Sequence, residues 1–212
     1  MKRGCFITLE GGEGVGKSTQ ARLLGAFLEQ RGIAVELTRE PGGTAGAEAI
    51  RALLLDPAGA GWGARAEALL FAAARADHVA QRIRPALEAG RWVICDRFLD
   101  SSRAYQGGGG GISDTELLEL HRIGSDGLLP DRTLLIEVSP QVAAERLAAR
   151  DGGLSDAIGG RGAEYHARVA MAFHRLAIAE PGRFVIIDGS GAPDAIHARI
   201  CTALAPLLDG QP

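Results

Sequence analysis

Cysteine is scarce in this chain of 212 residues: only Cys5, Cys95 and Cys201 occur, far apart and without a C-x-x-C pair. An odd number without metal-ligand spacing argues against a disulfide framework and points to reduced, mostly buried thiols. No apolar run reaches the length of a membrane-spanning helix. The apolar stretch behind the two basic residues near the start is too short for a signal peptide, so a cytoplasmic protein is expected. Basic charge is also in short supply, with 23 Lys and Arg against 26 Asp and Glu and a net charge of −3. Nothing global draws such a chain to nucleic acid or membrane, and a polyanionic ligand would need a local pocket. His78, His121, His166, His174 and His197 show no metal spacing and read as structural or surface residues. No Ser/His/Asp or thiol nucleophile is apparent, and no internal repeat or linker interrupts the chain.

Five short apolar runs are present: Cys5–Leu9, Ala34–Leu37, Trp92–Cys95, Thr133–Val138 and Phe184–Ile187. They are apolar nearly throughout rather than alternating, the pattern of parallel strands covered on both faces. Between them lie helical stretches at Lys17–Arg31, Ala64–Ala89, Thr115–Ile123, Val142–Ala149, Glu164–Ala179 and Ala195–Leu208, with a further helix after the Glu40–Thr44 turn. The order predicts one open, doubly wound α/β domain over residues 1–212, a five-stranded parallel sheet with helices on both faces. Two glycine-rich segments, Gly107–Gly111 and Gly152–Gly162, read as flexible loops near a site.

The strongest motif is Gly11-Gly12-Glu13-Gly14-Val15-Gly16-Lys17-Ser18, a full G-x-x-x-x-G-K-[ST] match between a strand and a helix. Glycines let backbone N–H groups converge on phosphate oxygens at a helix N-terminus. Lys17 supplies charge to the β- and γ-phosphates and the Ser18 hydroxyl a ligand for Mg²⁺. Gly11 to Ser18, with Thr19, therefore form a P-loop cradle for a nucleoside triphosphate, which GTPases, ATPases and small-molecule kinases all use. Without an N-K-x-D run a GTPase is disfavoured. Asp96-Arg97 follows the third run, at the sheet edge where ligands bind in open α/β folds. The carboxylate can serve Mg²⁺ and the arginine can grip a phosphate bidentately.

From about residue 5 to residue 190 the chain resembles the bacterial thymidylate kinases. The segments that carry the likeness, besides the P-loop, are Thr38-Arg39-Glu40-Pro41-Gly42-Gly43-Thr44, the stretch from Glu67 to Arg75, and the stretch from Asp96 to Gln106. The resemblance implies phosphorylation of dTMP by ATP, in a homodimer. It places Arg97 on the acceptor phosphate with Arg51 nearby and Glu40 in the pocket wall. Phe71 and Arg75, one helical turn apart, would hold the base; Ser102 and Gln106 would contact base and sugar, and Tyr105 would pack under the ribose 2′ carbon. The family has two arrangements for the catalytic arginine. Glu13 in the P-loop, with no arginine there, matches the one whose arginines lie on a lid, here about 150–162, making Arg150 and Arg161 the candidates. The match is poorest in this lid: Ala157 stands where relatives carry arginine, and Arg161 is the proposed substitute. A kinase for CMP, UMP or AMP, and a non-catalytic ATP-binding switch, are the alternatives. The methyl group that separates dTMP from dUMP is worth only ~1–3 kcal/mol in a pocket, too little to read from residue names.

Overall fold

The structure is a computed structural model that describes residues 3–56, 58–59, 61–151 and 156–208, the side chains of Arg150 and Asp151 excepted. Among these residues, strands β1 (Phe6–Glu10), β2 (Val35–Arg39), β3 (Trp92–Asp96), β4 (Arg132–Glu137) and β5 (Phe184–Asp188) form one parallel sheet in the order β2-β3-β1-β4-β5. The three central strands are almost wholly buried, as their apolar composition requires, whereas the edge strands β2 and β5 keep partly exposed positions. All five strands run past their last apolar residue to a charged one: Glu10, Arg39, Asp96, Glu137 and Asp188.

Strand pleating divides the core between the two faces. Ile7, Leu9, Ile94, Leu134 and Ile136 pack with Leu24 and Leu28 of helix α1 (Lys17–Glu29) on one face. Ile196, Ile200 and Leu204 of the C-terminal helix Pro193–Leu208 complete that layer. On the other face Phe6, Val93 and Cys95 meet Val79, Ile83 and Leu87. Those last three belong to the long helical stretch read as Ala64–Ala89. It comprises α3 (Ala64–His78), a π-helical turn at Val79–Ile83 and α4 (Arg84–Glu88). Pro85 explains the widened turn: it lacks an N–H, and its ring excludes the carbonyl one turn earlier. The three cysteines are free. Burial pushes the Cys5 thiol up to about 12 and raises Cys95, so neither is a thiolate at neutral pH.

Helix α2 (Ala45–Leu55) follows the Glu40–Thr44 turn, with Thr44 accepting from the Ala47 N–H at 3.2 Å as its N-cap. After β3 come α5 (Leu99–Ser102) and a π-helical run over Arg103–Gly109, then α6 (Asp114–Ser125), α7 (Pro140–Asp151), α8 (Ala163–Ala179) and α9 (Pro193–Leu208). The glycine run thus differs from the expected flexible turn, because Gly107 to Gly109 continue a helix. The reason is space. A Cβ on Gly108 would stand 2.3 Å from the Ala172 Cβ, and one on Gly109 would stand 2.5 Å from the Tyr165 ring, both on α8. Glycine here permits close contact between two helices.

Candidate active site

The loop from Gly11 to Gly16 leaves β1 and turns into α1. Gly14 adopts φ 73°, and a Cβ there would lie 2.5 Å from the Ala143 carbonyl of α7, so only glycine fits. Lys17, the first residue of α1, folds its Nζ back onto the loop and donates to the carbonyls of Gly11 at 3.2 Å and Gly12 at 2.5 Å. Burial, helped by the charge of Arg97, pushes this ammonium down to about 8.

Across the cleft, Arg97 follows the last residue of β3 with φ 71°, a left-handed conformation rare for a side chain of this size. Its Nη1 donates to the Gly11 carbonyl and to Ser101 Oγ, both at 3.0 Å. Its Nη2 donates to Glu13 Oε1 at 2.6 Å and Tyr105 Oη at 3.1 Å. The Gly11 carbonyl therefore touches both Lys17 and Arg97. Ser18 Oγ donates to Asp96 Oδ2 at 2.5 Å, joining the end of the loop to the end of β3.

These groups share one cleft of about 590 Å³. Of the residues expected in the site, Glu13, Gly14, Gly16, Lys17, Ser18, Thr19, Glu40, Arg51, Phe71, Asp96, Arg97, Tyr105 and Gln106 line it. Its charged lining comprises six cations (Lys17, Arg22, Arg39, Arg51, Arg97, Arg146) and four carboxylates (Glu13, Glu40, Asp96, Asp156). A local positive surplus thus sits inside an acidic chain. Arg51, on α2, donates to the Pro41 carbonyl at 2.7 Å, and burial and Arg39 lower its pKa.

Arg75 and Ser102 stand behind the lining. Arg75 Nε donates to Glu40 Oε2 at 2.8 Å, and its Nη2 to Ser102 Oγ at 2.9 Å and the Phe98 carbonyl at 3.2 Å. Glu40 Oε1 also lies 3.1 Å from His78 Nδ1, and His78 Nε2 lies 2.7 Å from Thr38 Oγ1. Glu40 is thus buried in a network from β2 through α3 to α5. Phe71 is half-buried at the cleft wall, one turn before Arg75 as the spacing requires.

Arg161 lies off the cleft lining. Its guanidinium pairs with the buried carboxylate of Glu67 on α3 and donates to Tyr165 Oη at 2.8 Å. Glu67 Oε1 also accepts from Gln106 Nε2 at 2.8 Å. The Arg150 side chain and residues 152–155 of the expected lid fall outside the described residues. Three arginines of the lining were given no role by the sequence reading. Arg146, on α7, bonds the carbonyls of Val15, Gly189 and Gly191. It stands one turn before Arg150 on the same helix, a signal that was available. Arg39 lies within the Thr38–Thr44 segment that carries the family likeness, whereas Arg22 carried no signal beyond its charge.

Among the described residues no group of three or more His, Cys, Asp or Glu is placed to hold a metal. Ser18 and Asp96 instead offer two hard oxygens, side by side at the cleft edge. That suits Mg²⁺, which keeps several waters and takes its other ligands from substrate phosphates.

A glycine-bent anion cradle after the first strand of a β2-β3-β1-β4-β5 parallel sheet defines a P-loop nucleoside-triphosphate-binding fold. The family model described as Thymidylate kinase matches residues 9–200. The chain is 60% identical over 205 residues to a thymidylate kinase of Rhizorhabdus wittichii, a match covering 97% of this chain and 99% of that one. With a thymidylate kinase of a Bradyrhizobium species it is 47% identical over 212 residues, covering 96% and 94%. The crystal structure of thymidylate kinase from Ehrlichia chaffeensis superposes with a TM-score of 0.78 at 33% identity, covering 95% of this chain and 99% of that one. The chain belongs to the thymidylate kinase family.

Proposed function

We propose that the chain transfers the γ-phosphoryl group of ATP to the phosphate of dTMP, giving ADP and dTDP. The observation that carries this reading is the Gly11 carbonyl bonded to both Lys17 and Arg97 at one cleft, so donor and acceptor phosphates would be gripped from opposite sides. The acceptor is already an anion, so no strong base is required, and positioning with charge neutralisation does the work. Lys17 leaves the loop carbonyls to meet the β- and γ-phosphates, while backbone N–H groups of the loop hold the chain of phosphates. Arg97 turns from Glu13 to the acceptor phosphate, with Arg51 and Arg39 beside it. Ser18 and Asp96 would hold Mg²⁺, which when bound would neutralise negative charge on the phosphates. Phe71, Tyr105 and Gln106 form the wall that receives base and sugar, backed by Glu40, Arg75 and Ser102.

The same reading makes residues 1–212 a single kinase domain of the cytoplasm, with a lid over about 150–162. Among the described residues no helix is long and apolar enough to cross a membrane. It also makes the enzyme a homodimer. Leu69 on α3 and Ile123 on α6 are 57% and 72% exposed on two helices that pack side by side, more apolar surface than one chain covers. ADP release measured across a panel of nucleoside monophosphates tests the substrate. Preference for dTMP supports the reading, and preference for CMP, UMP or AMP overturns it.

A further inference from the structure

Glu10 is the last residue of β1, has no solvent exposure, and takes no part in the reaction set out above. Both carboxylate oxygens are occupied. Oε1 accepts from the N–H of Phe98 at 2.8 Å and of Ser101 at 3.2 Å, and Oε2 accepts from Ser101 Oγ at 2.6 Å. Phe98 is the N-cap of α5 and has no side-chain oxygen with which to cap it, so the carboxylate from β1 supplies what the helix lacks.

The contact with Ser101 reaches further. A serine hydroxyl has one proton, and here it goes to Glu10. The oxygen is thereby left with a lone pair for Arg97, whose Nη1 donates to it at 3.0 Å. The other acceptor of that Nη1 is the Gly11 carbonyl, immediately after Glu10 in the chain, which also takes the Lys17 ammonium. The left-handed backbone at Arg97 persists only where its surroundings over-determine it, and the cap at Phe98 and Ser101 is one of those surroundings.

We infer that Glu10 is a positioning residue that keeps the acceptor-phosphate arginine in register with the donor-phosphate lysine, acting through the Ser101 hydroxyl. This rests on the reading of Arg97 as the acceptor-phosphate grip. A buried carboxylate is costly, and a fold that needed only core at this position would use an apolar side chain. Burial and the neighbouring charge of Asp100 push Glu10 up to about 7, opposed by the Ser101 hydroxyl, Arg97 and the Phe98 N–H. Its anionic form is the one that matches the donors around it.

The test uses steady-state kinetics with both substrates on Glu10→Gln, Ser101→Ala, the double variant and Arg97→Ala, with a thermal melt of each. Glutamine keeps the shape of Glu10 but presents an amide donor to Ser101 and so turns the hydroxyl proton toward Arg97. The expected result is a rise of about tenfold or more in KM for dTMP in each single variant, with KM for ATP changed by less than about twofold. The double variant should be no worse than the poorer single, because both break one chain of contacts. Unchanged KM for dTMP in Glu10→Gln and Ser101→Ala, or equal rises for both substrates, overturns the inference. If Arg97→Ala alone weakens dTMP, only the role of Glu10 falls. If Arg97→Ala also leaves dTMP kinetics unchanged, the reading of Arg97 falls with it. Should Glu10→Gln fail to fold, Ser101→Ala decides by the same criteria.

Discussion

Replacing Arg75 by methionine removes a charge from a closely enclosed ion pair beside the cleft. The side chains of Arg75 and Glu40 are 3% and 4% exposed, and Arg75 donates three hydrogen bonds there. Methionine fills similar space but leaves Glu40 Oε2 without its donor and the carboxylate with His78 as its remaining contact in this network. Breaking a buried pair from one side costs roughly 3–5 kcal/mol. For a chain of this size each kcal/mol lowers Tm by roughly 2–4 °C, so Arg75→Met should melt roughly 6–20 °C below the parent. Glu40→Gln combined with Arg75→Met removes both charges and should recover much of that loss, since the large term is the stranded carboxylate and not the pair itself. Urea unfolding followed by circular dichroism gives the double-mutant cycle at neutral pH. A loss below about 1 kcal/mol for Arg75→Met, or simple addition of the two single effects, would refute the account. The surviving folded fraction of Arg75→Met should also bind dTMP more weakly while holding ATP as before, because Glu40 is part of the wall on the acceptor side.

The remaining expectations concern pH, packing and the lid. Glu10 has its folded pKa raised to about 7 from an ordinary 4.5, so its contribution to stability is fully present below the lower value and is lost as pH rises through the upper one. Unfolding free energies of Glu10→Gln relative to the parent should therefore improve from about pH 5 to about pH 8, and parallel pH curves would contradict this. Gly108→Ala places a methyl group 2.3 Å from the Ala172 Cβ, an overpacking that costs ~1–3 kcal/mol; an unchanged melting temperature would show that the helices can part freely. Arg161→Ala tests the lid: kcat should fall by about tenfold or more if this arginine reaches the transferred group, and a loss under about threefold removes it from the mechanism.

The sheet was legible because its buried strands are continuous apolar runs, and the donor loop because its glycines, Lys17 and Ser18 have no substitute in that role. The strand ends were less so. An apolar run stops at Leu9, Leu37 or Cys95, yet backbone pairing continues to Glu10, Arg39 and Asp96, residues that line or brace the cleft. The helix-facing residues were harder still. Phe71 and Arg75 are correctly neighbours on α3, but spacing along one helix does not reveal that Glu40, in the turn after β2, draws Arg75 behind the wall. Arg161 is a similar case: Glu67, its partner, is 94 positions away. The glycine run misled for the opposite reason. Glycine marks freedom when nothing is near and intimacy when something is, and composition is the same for both.

That intimacy shapes what the cleft can accept. Tyr105 and Gln106 precede Gly107 directly, on the stretch wedged against α8 by the absence of side chains, with the Tyr165 hydroxyl tied to the Tyr105 carbonyl at 3.0 Å. A partition braced in this way sets its aperture before a visitor arrives. On the proposed reading, in which Tyr105 and Gln106 face the sugar, an ill-fitting sugar would be turned away by collision, without waiting for the surface to rearrange and judge it.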